Sequence, residues 1–368
     1  MTVQVPAWLL EWTLVILLAT VILLTLVIVG ARVARAQTAQ RHARAMLPAR
    51  RLLIAVAAGE DDDGAAARTL ADLPPDGRPM VDQAIVQMLS KVSGAPARAL
   101  VEVLRSHGRD RWAREGLTSR SSVRRAHAAW TLGLMRDAQE LPALVPLLSD
   151  RSADVRITAA RAVGMIGDAA ATSAVLAAVP PVAGRTGLPL WVSTEALISL
   201  GHEADPALRV ALGDTRWEIR LAAATVVTHV PVYAALRDLR ERIDQEPVPT
   251  VRAELCLGLG QIGGAADVPL LGARLGDAET PVRLAAARAL GHLADGQAVH
   301  WLEPALADEV VQVAEAAAIA LSQVGPKGRA VLTERAEAGS RVAAYGTILD
   351  QLQRNRPIPA LGGGPADG

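Results

Sequence analysis

Residues 277–308 read DAETPVRLAAARALGHLADGQAVHWLEPALAD, and this stretch decides the fold. Pro281 suits the first turn of a helix, where its missing N–H would have no partner anyway. Val282, Ala285, Ala286, Ala289, Leu290 and Leu293 follow at three- and four-residue spacing, one apolar helical face. Asp295-Gly296 ends that helix. Val299, Leu302, Ala305 and Leu306 then mark a second, shorter one. Neither helix buries its stripe alone; copies stacked side by side do.

Working outward from Gly291, the same pattern recurs at Gly133, Gly164, Gly201, Thr228, Gly260 and Ser322, with Ser90 as a weak earlier match. Most steps are close to 31 residues, as from 260 to 291 and from 291 to 322; the step from 164 to 201 is longer and the next is shorter. Eight residues before the anchor stands Arg125, Arg156, Arg220, Arg252 or Arg283, while Ser193 and Ala314 break the column. Fourteen before it stands Asp150, Asp214, Glu246, Asp277 or Asp308. A repeated arginine could be a ladder for phosphate. The matching acid points instead to pairing within or between neighbouring repeats, a structural ladder over Asp150, Arg156, Asp214, Arg220, Glu246, Arg252, Asp277 and Arg283.

The segments VRITAARAVG (155–164), IRLAAATVVT (219–228), VRAELCLGLG (251–260) and VRLAAARALG (282–291) resemble the HEAT family. The short period and the VRxxAAxALG core are most similar to the HEAT-like repeats of phycobilisome lyase subunits and their bacterial relatives. The resemblance covers roughly residues 80–325. It implies an all-α, right-handed α-solenoid of about seven to eight helical hairpins. It says little of activity, because that family holds scaffolds, lyase subunits and a metal-dependent hydroxylase.

Trp12 to Val29 is an uncharged run broken only by three threonines. As a helix it spans about 27 Å, close to a bilayer core of roughly 30 Å. Residues 1–11 carry no Lys or Arg, which argues against a secretory signal. Arg32, Arg35, Arg41, Arg44, Arg50 and Arg51 follow the run. The reading is one transmembrane helix in the inner membrane, N-terminus outside and repeats cytoplasmic. The expected organisation is an anchor over 1–30, a basic juxtamembrane helix over 31–48 and an N-terminal helical cap over 49–79. The solenoid follows over 80–325, a polar C-terminal cap over 326–356 and a disordered tail over 357–368. The loop Glu60-Asp61-Asp62-Asp63-Gly64 reads as a solvated turn.

Thirty-eight basic residues balance thirty-eight acids, so no net field draws nucleic acid. Phe is absent, and the single cysteine, Cys256, excludes an internal disulfide and a multi-cysteine metal site. Its place between Leu255 and Leu257 favours a buried, inert thiol. His202, His229 and His292 each follow an anchor, but side chains one helix spacing apart, roughly 10 Å, do not converge on one ion. In the related hydroxylase, iron is held by His-Glu pairs seven and six residues before the anchor. Those positions here hold Thr194-Glu195 and Ala253-Glu254, so the resemblance implies no such site. No P-loop, G-x-S-x-G or H-E-x-x-H occurs. No catalytic residue, metal or cofactor is expected. The leading expectation is a membrane-tethered adaptor for a membrane-associated protein; the alternative is a bilin-lyase-like or other cofactor-handling subunit. The long loop 179–189 projects from one edge of the stack, which makes Arg185, Trp191 and Trp217 the expected partner surface.

Overall fold

The computed structural model describes residues 48–180, 187–201 and 205–354, with residues 23–25, 29 and 32 before them. Every regular element among the described residues is helical. The chain divides into two compact units, Met1–Trp112 and Ala113–Gly368.

In the first unit, residues 48–58 are helical and are followed by helices Ala65–Ala71, Arg78–Leu89 and Gly94–Ser106. The acidic loop before Ala65 has a local structural task. Asp61 accepts the backbone N–H groups of Ala66 and Ala67, both at 2.9 Å, and Asp63 accepts that of Ala65 at 3.0 Å. These donors have no partner inside the helix, so the carboxylates cap it. The same backbone bonds hold the Asp61 carboxyl below its ordinary pKa. The interior is aliphatic, with Leu53, Leu70, Ile85, Leu100 and Leu104 buried. One polar group sits among them. His107 places Nδ1 2.5 Å from Asp82 Oδ1 and Nε2 3.0 Å from the carbonyl of Leu70. Arg109 stands 3.6 Å from the other Asp82 oxygen and lies over the ring of Trp112 at 4.2 Å.

The second unit is the helical solenoid. Its long helices are α1 (Ser122–Met135), α2 (Ala153–Ile166), α3 (Leu190–Ser199) and α4 (Trp217–His229), then α5 (Pro249–Ile262), α6 (Thr280–Leu293), α7 (Val311–Gln323) and α8 (Arg341–Arg354). Each packs on the next, and from α1 to α7 short helices or 3-10 turns lie between them. Within α6, Val282, Ala285, Ala286, Ala289 and Leu290 are buried and Leu293 is half-buried. Fully burying a leucine contributes about 1.5–3 kcal/mol, so the small alanines matter mainly by letting helices approach. Ala294 ends α6 in the left-handed region, and Asp295 caps the next turn through the N–H of Gln297. Asp137 and Asp168 do the same after α1 and α2.

The anchor column is where backbones meet. A β-carbon on Gly133 would lie 2.5 Å from Cα of Ala162, on Gly164 2.9 Å from Ala196, and on Gly260 2.6 Å from Ala289. No side chain fits at such distances. The same geometry corrects one expected equivalence. Ala162, Ala289 and Ala320, which receive the preceding glycine, each precede their own anchor by two residues. Ala196 receives Gly164, so the anchor of α3 is Ile198, not Gly201. Gly201, at φ 68°, instead matches Gly167 at φ 77°, the left-handed residue that ends α2.

The expectation of a single-pass inner-membrane protein with an outside N-terminus is corrected. Among the described residues no helix is long and apolar enough to cross a membrane. The long helices of the stack have at most 14 residues, about 21 Å, and each carries charged or polar residues on one face. Residues 12–29, read as the span, lie outside the described residues apart from Leu23, Leu24, Thr25 and Val29, and so does the proposed tail over 357–368.

Candidate functional site

Two surfaces come out of this stacking. The first is the acid–arginine ladder at the starts of the long helices. Arg220 sends Nε and Nη2 to both oxygens of Glu246, each at 2.7 Å, and Nη1 to the carbonyls of Asp214 and Thr215 at 2.8 and 3.0 Å. Arg252 does the same with Asp277, and Arg283 with Asp308. At the first rung Arg125 takes Asp150 at 2.8 and 2.7 Å. Each arginine therefore bonds forward, to the acid of the next repeat. The acid six residues earlier contributes its backbone carbonyl, as Glu246 does to Arg252 at 2.7 Å and Asp277 to Arg283 at 3.0 Å. Arg156 donates to the carbonyl of Asp150 at 2.9 Å. In the stretched repeat that follows, the position fourteen residues before Ile198 is Gly184 in the sequence, where an acid would be. The Asp214 side chain turns to Arg216 at 3.1 Å instead.

The carboxylates are also held by their own backbone. Asp150 accepts the N–H of Ser152, Glu246 that of Val248, Asp277 that of Glu279 and Asp308 that of Val310, all within 3.0 Å. Burial alone would raise these four carboxyls. The arginine and backbone bonds outweigh it and hold them below the ordinary range. With both partners satisfied, these arginines are occupied within the stack.

A second set of pairs joins the short helices, and sequence reasoning missed it. Arg209 meets Asp238 at 2.6 Å, Arg240 takes buried Asp267 at 2.5 and 2.9 Å, Arg274 meets Asp244 at 2.7 Å, and Arg335 pairs with Glu303. The partners stand 27 to 32 residues apart, one repeat, and that recurrence is the only signal the sequence carries.

The second surface is the outer face of the long helices. Positions three, seven and eleven before the anchor lie on one stripe of each helix. Three before it stand Trp130, Leu257 and Ile319. Seven before it stand Ile157, Trp191, Leu221 and Leu284. One large apolar side chain thus appears on this stripe in every helix from α1 to α7. All are half-buried except Trp191, which is 57 % exposed. Arg161, on the same stripe of α2, holds its guanidinium 5.3 Å above the Trp191 ring and its Nε 3.3 Å from Glu195. Trp217, 43 % exposed, is eleven before Thr228 and shares the stripe on α4. Arg185 lies outside the described residues.

Between α6 and α7 the face opens into a cleft of about 360 Å³, bordered by Arg288, His292, Gln312, Glu315, Ile319 and Gln323. His229 ends α4, which α5 separates from α6, and its Nδ1 lies 2.8 Å from the carbonyl of Thr225. His202 is outside the described residues. Among the described residues no three His, Cys, Asp or Glu side chains are placed to share a metal ion. Cys256 is buried, and burial pushes its thiol up to about 12. It therefore has little thiolate for nucleophilic chemistry near neutral pH.

A sequence profile of HEAT repeats matches residues 111–181, 204–282 and 268–345, more than half of the chain. This chain belongs to the HEAT-repeat family. Among solved structures, the HEAT-repeat chain is similar to a Kap121p mutant at 13 % identity and a TM-score of 0.53, over 74 % of this chain and 35 % of that one. It thus spans about a third of that protein. Human deoxyhypusine hydroxylase in complex with glycerol matches at 20 % identity over 80 % of this chain and 95 % of that one, with a TM-score of 0.29. The CpcE–CpcF complex of phycocyanin lyase from a Nostoc species matches at 20 % over 66 % and 94 %, with a TM-score of 0.32. At such identities the likeness is one of fold alone. No curated protein matches this HEAT-repeat chain.

Proposed function

We propose that this HEAT-repeat protein is a scaffold that binds a protein partner along the outer face of its long helices. The observation that carries the reading is the row of large apolar side chains from Trp130 to Ile319, one per long helix from α1 to α7. A stack needs no such row for its own core, which the alanine and leucine faces already fill. A row of half-buried apolar groups centred on exposed Trp191 and flanked by charges fits a protein-binding surface. Arg161, Glu195, Arg288 and Glu315 supply that rim on the same stripe. Tryptophan is enriched among residues that dominate binding energy, so Trp191 is the expected centre.

The test compares the wild-type protein with a Trp191→Ala, Leu257→Ala variant as baits in quantitative affinity purification with cross-linking. The expected result is one stoichiometric protein, cross-linked near α3 to α5 and lost from the variant, while both baits melt at the same temperature. A partner held equally well by both, with cross-links confined to the short helices, overturns the assignment of the face. The absence of any saturable partner overturns the scaffold.

A further inference from the structure

Among the described residues α8 is the last helix of the stack, and one of its faces is open. On its inward side Ala343, Gly346 and Asp350 are buried against the preceding elements. A β-carbon on Gly346 would lie 2.9 Å from Cβ of Ala318, so α8 approaches α7 as closely as the anchor glycines approach their neighbours. The opposite side carries Tyr345, Ile348 and Leu352, exposed by 43, 55 and 59 %. Their spacing of three and four residues makes one continuous apolar stripe. On α5, α6 and α7 the corresponding side is covered by the next long helix. Among the described residues no further helix covers it on α8.

From this we infer that two copies of the chain associate end to end through α8, in a two-fold, antiparallel pairing of the Tyr345–Ile348–Leu352 stripe. The association continues the long-helix packing that builds the stack. A two-fold axis sets a group that lies on it against its own copy, so a charge near the axis would meet a like charge. The stripe has none: from 345 to 352 the exposed side chains are Tyr345, Ile348, Gln351 and Leu352. Antiparallel pairing about Ile348 also places Tyr345, three residues to one side, against the partner's Leu352, four residues to the other. The aromatic ring thus meets a branched aliphatic chain at both ends. One helix face offers less than the roughly 800 Å² per partner of a standard stable interface, so the association is expected to be weak and concentration-dependent.

The experiment is sedimentation equilibrium of the full chain from 1 to about 200 µM, for wild type, Ile348→Asp and Ile348→Cys. The wild type is expected to pass from monomer to dimer. Ile348→Asp, at an exposed position, is expected to keep its helical circular dichroism and raise the dissociation constant more than tenfold. Ile348→Cys is expected to form a disulfide-linked dimer under mild oxidation, with Cys256 buried and unreactive. A wild type that stays monomeric throughout overturns the inference. So does a dimer, or larger assembly, that Ile348→Asp leaves unchanged or that Ile348→Cys fails to cross-link. Should Ile348→Asp lose its helical signal, the cysteine variant decides alone.

Discussion

Replacing Arg220 with alanine probes the ladder at its most buried rung, where the arginine side chain is 5 % exposed and the Glu246 side chain 0 %. The substitution deletes two bonds to the carboxylate and two to backbone carbonyls. Glu246 is left with Nε of Arg242 at 3.0 Å and the N–H of Val248 at 3.0 Å. Removing one member of a buried ion pair costs about 3–5 kcal/mol, because the other charge stays desolvated. Arg242 remains and neutralises part of that charge, which sets the expectation at about 3 kcal/mol. For a unit of this size that lowers the melting temperature by roughly 6–12 °C. Calorimetry and urea denaturation of Arg220→Ala measure it. Arg237→Ala is the control, since its pair with Glu241 is exposed by 82 and 59 % and is expected to change nothing measurable. A double variant, Arg220→Met with Glu246→Leu, is expected to recover most of the loss, because buried pairs replaced by apolar groups are often close to neutral. A single variant within about 1 kcal/mol of wild type, less than a typical lost pair, refutes the reasoning. A double variant as unstable as the single one does so too.

Two further outcomes follow from the same geometry. Gly260→Ala puts a β-carbon 2.6 Å from Ala289 Cα and is expected to destabilise by about 1–3 kcal/mol. Gly258→Ala meets only side chains, at 3.4 Å and beyond, and is expected to be neutral or to stabilise by up to about 1 kcal/mol; equal midpoints for the two in urea would sink the close-approach account. The acids Asp150, Glu246, Asp277 and Asp308 have folded-state pKa values below their unfolded ones. Their contribution is complete above the unfolded values near about 4 and is lost as pH falls through the lowered folded ones. The urea midpoint is therefore expected to hold from pH 7 to about 5 and then drop towards pH 3; a flat profile contradicts the ladder.

Much of the fold was legible because a repeat states its rule several times. Period, helix faces and the two charged columns stand in the sequence as fixed offsets from one anchor. The error at Gly201 has a physical cause. Glycine serves a helix end in two ways, by letting another backbone approach and by taking a left-handed turn, and the two positions lie only three residues apart. Where both are glycine, as at Gly164 and Gly167, either reading works; where Ile198 replaces the first, the second is mistaken for it. The sequence leaves the arginine partners open between the same and the adjacent repeat, since a column fixes the offset along the chain and not which copy a side chain leans towards. The outer row escaped for a related reason. It alternates between two positions, three and seven before the anchor, and neither column alone is apolar. At the end of the stack, polar residues suggested a finished surface, yet on α8 they point one way and Tyr345, Ile348 and Leu352 another.

The anchor column has a consequence for anything that grips the outer face. The distance between neighbouring long helices is set where Gly260 meets Ala289 or Gly133 meets Ala162, deep behind the surface. That distance is also the spacing between one foothold, such as Leu257, and the next, Leu284. A partner with a rigid binding edge thus measures residues it never touches. Enlarging a single buried anchor would shift the footholds on either side of it and change which partners fit, while leaving every surface side chain in place.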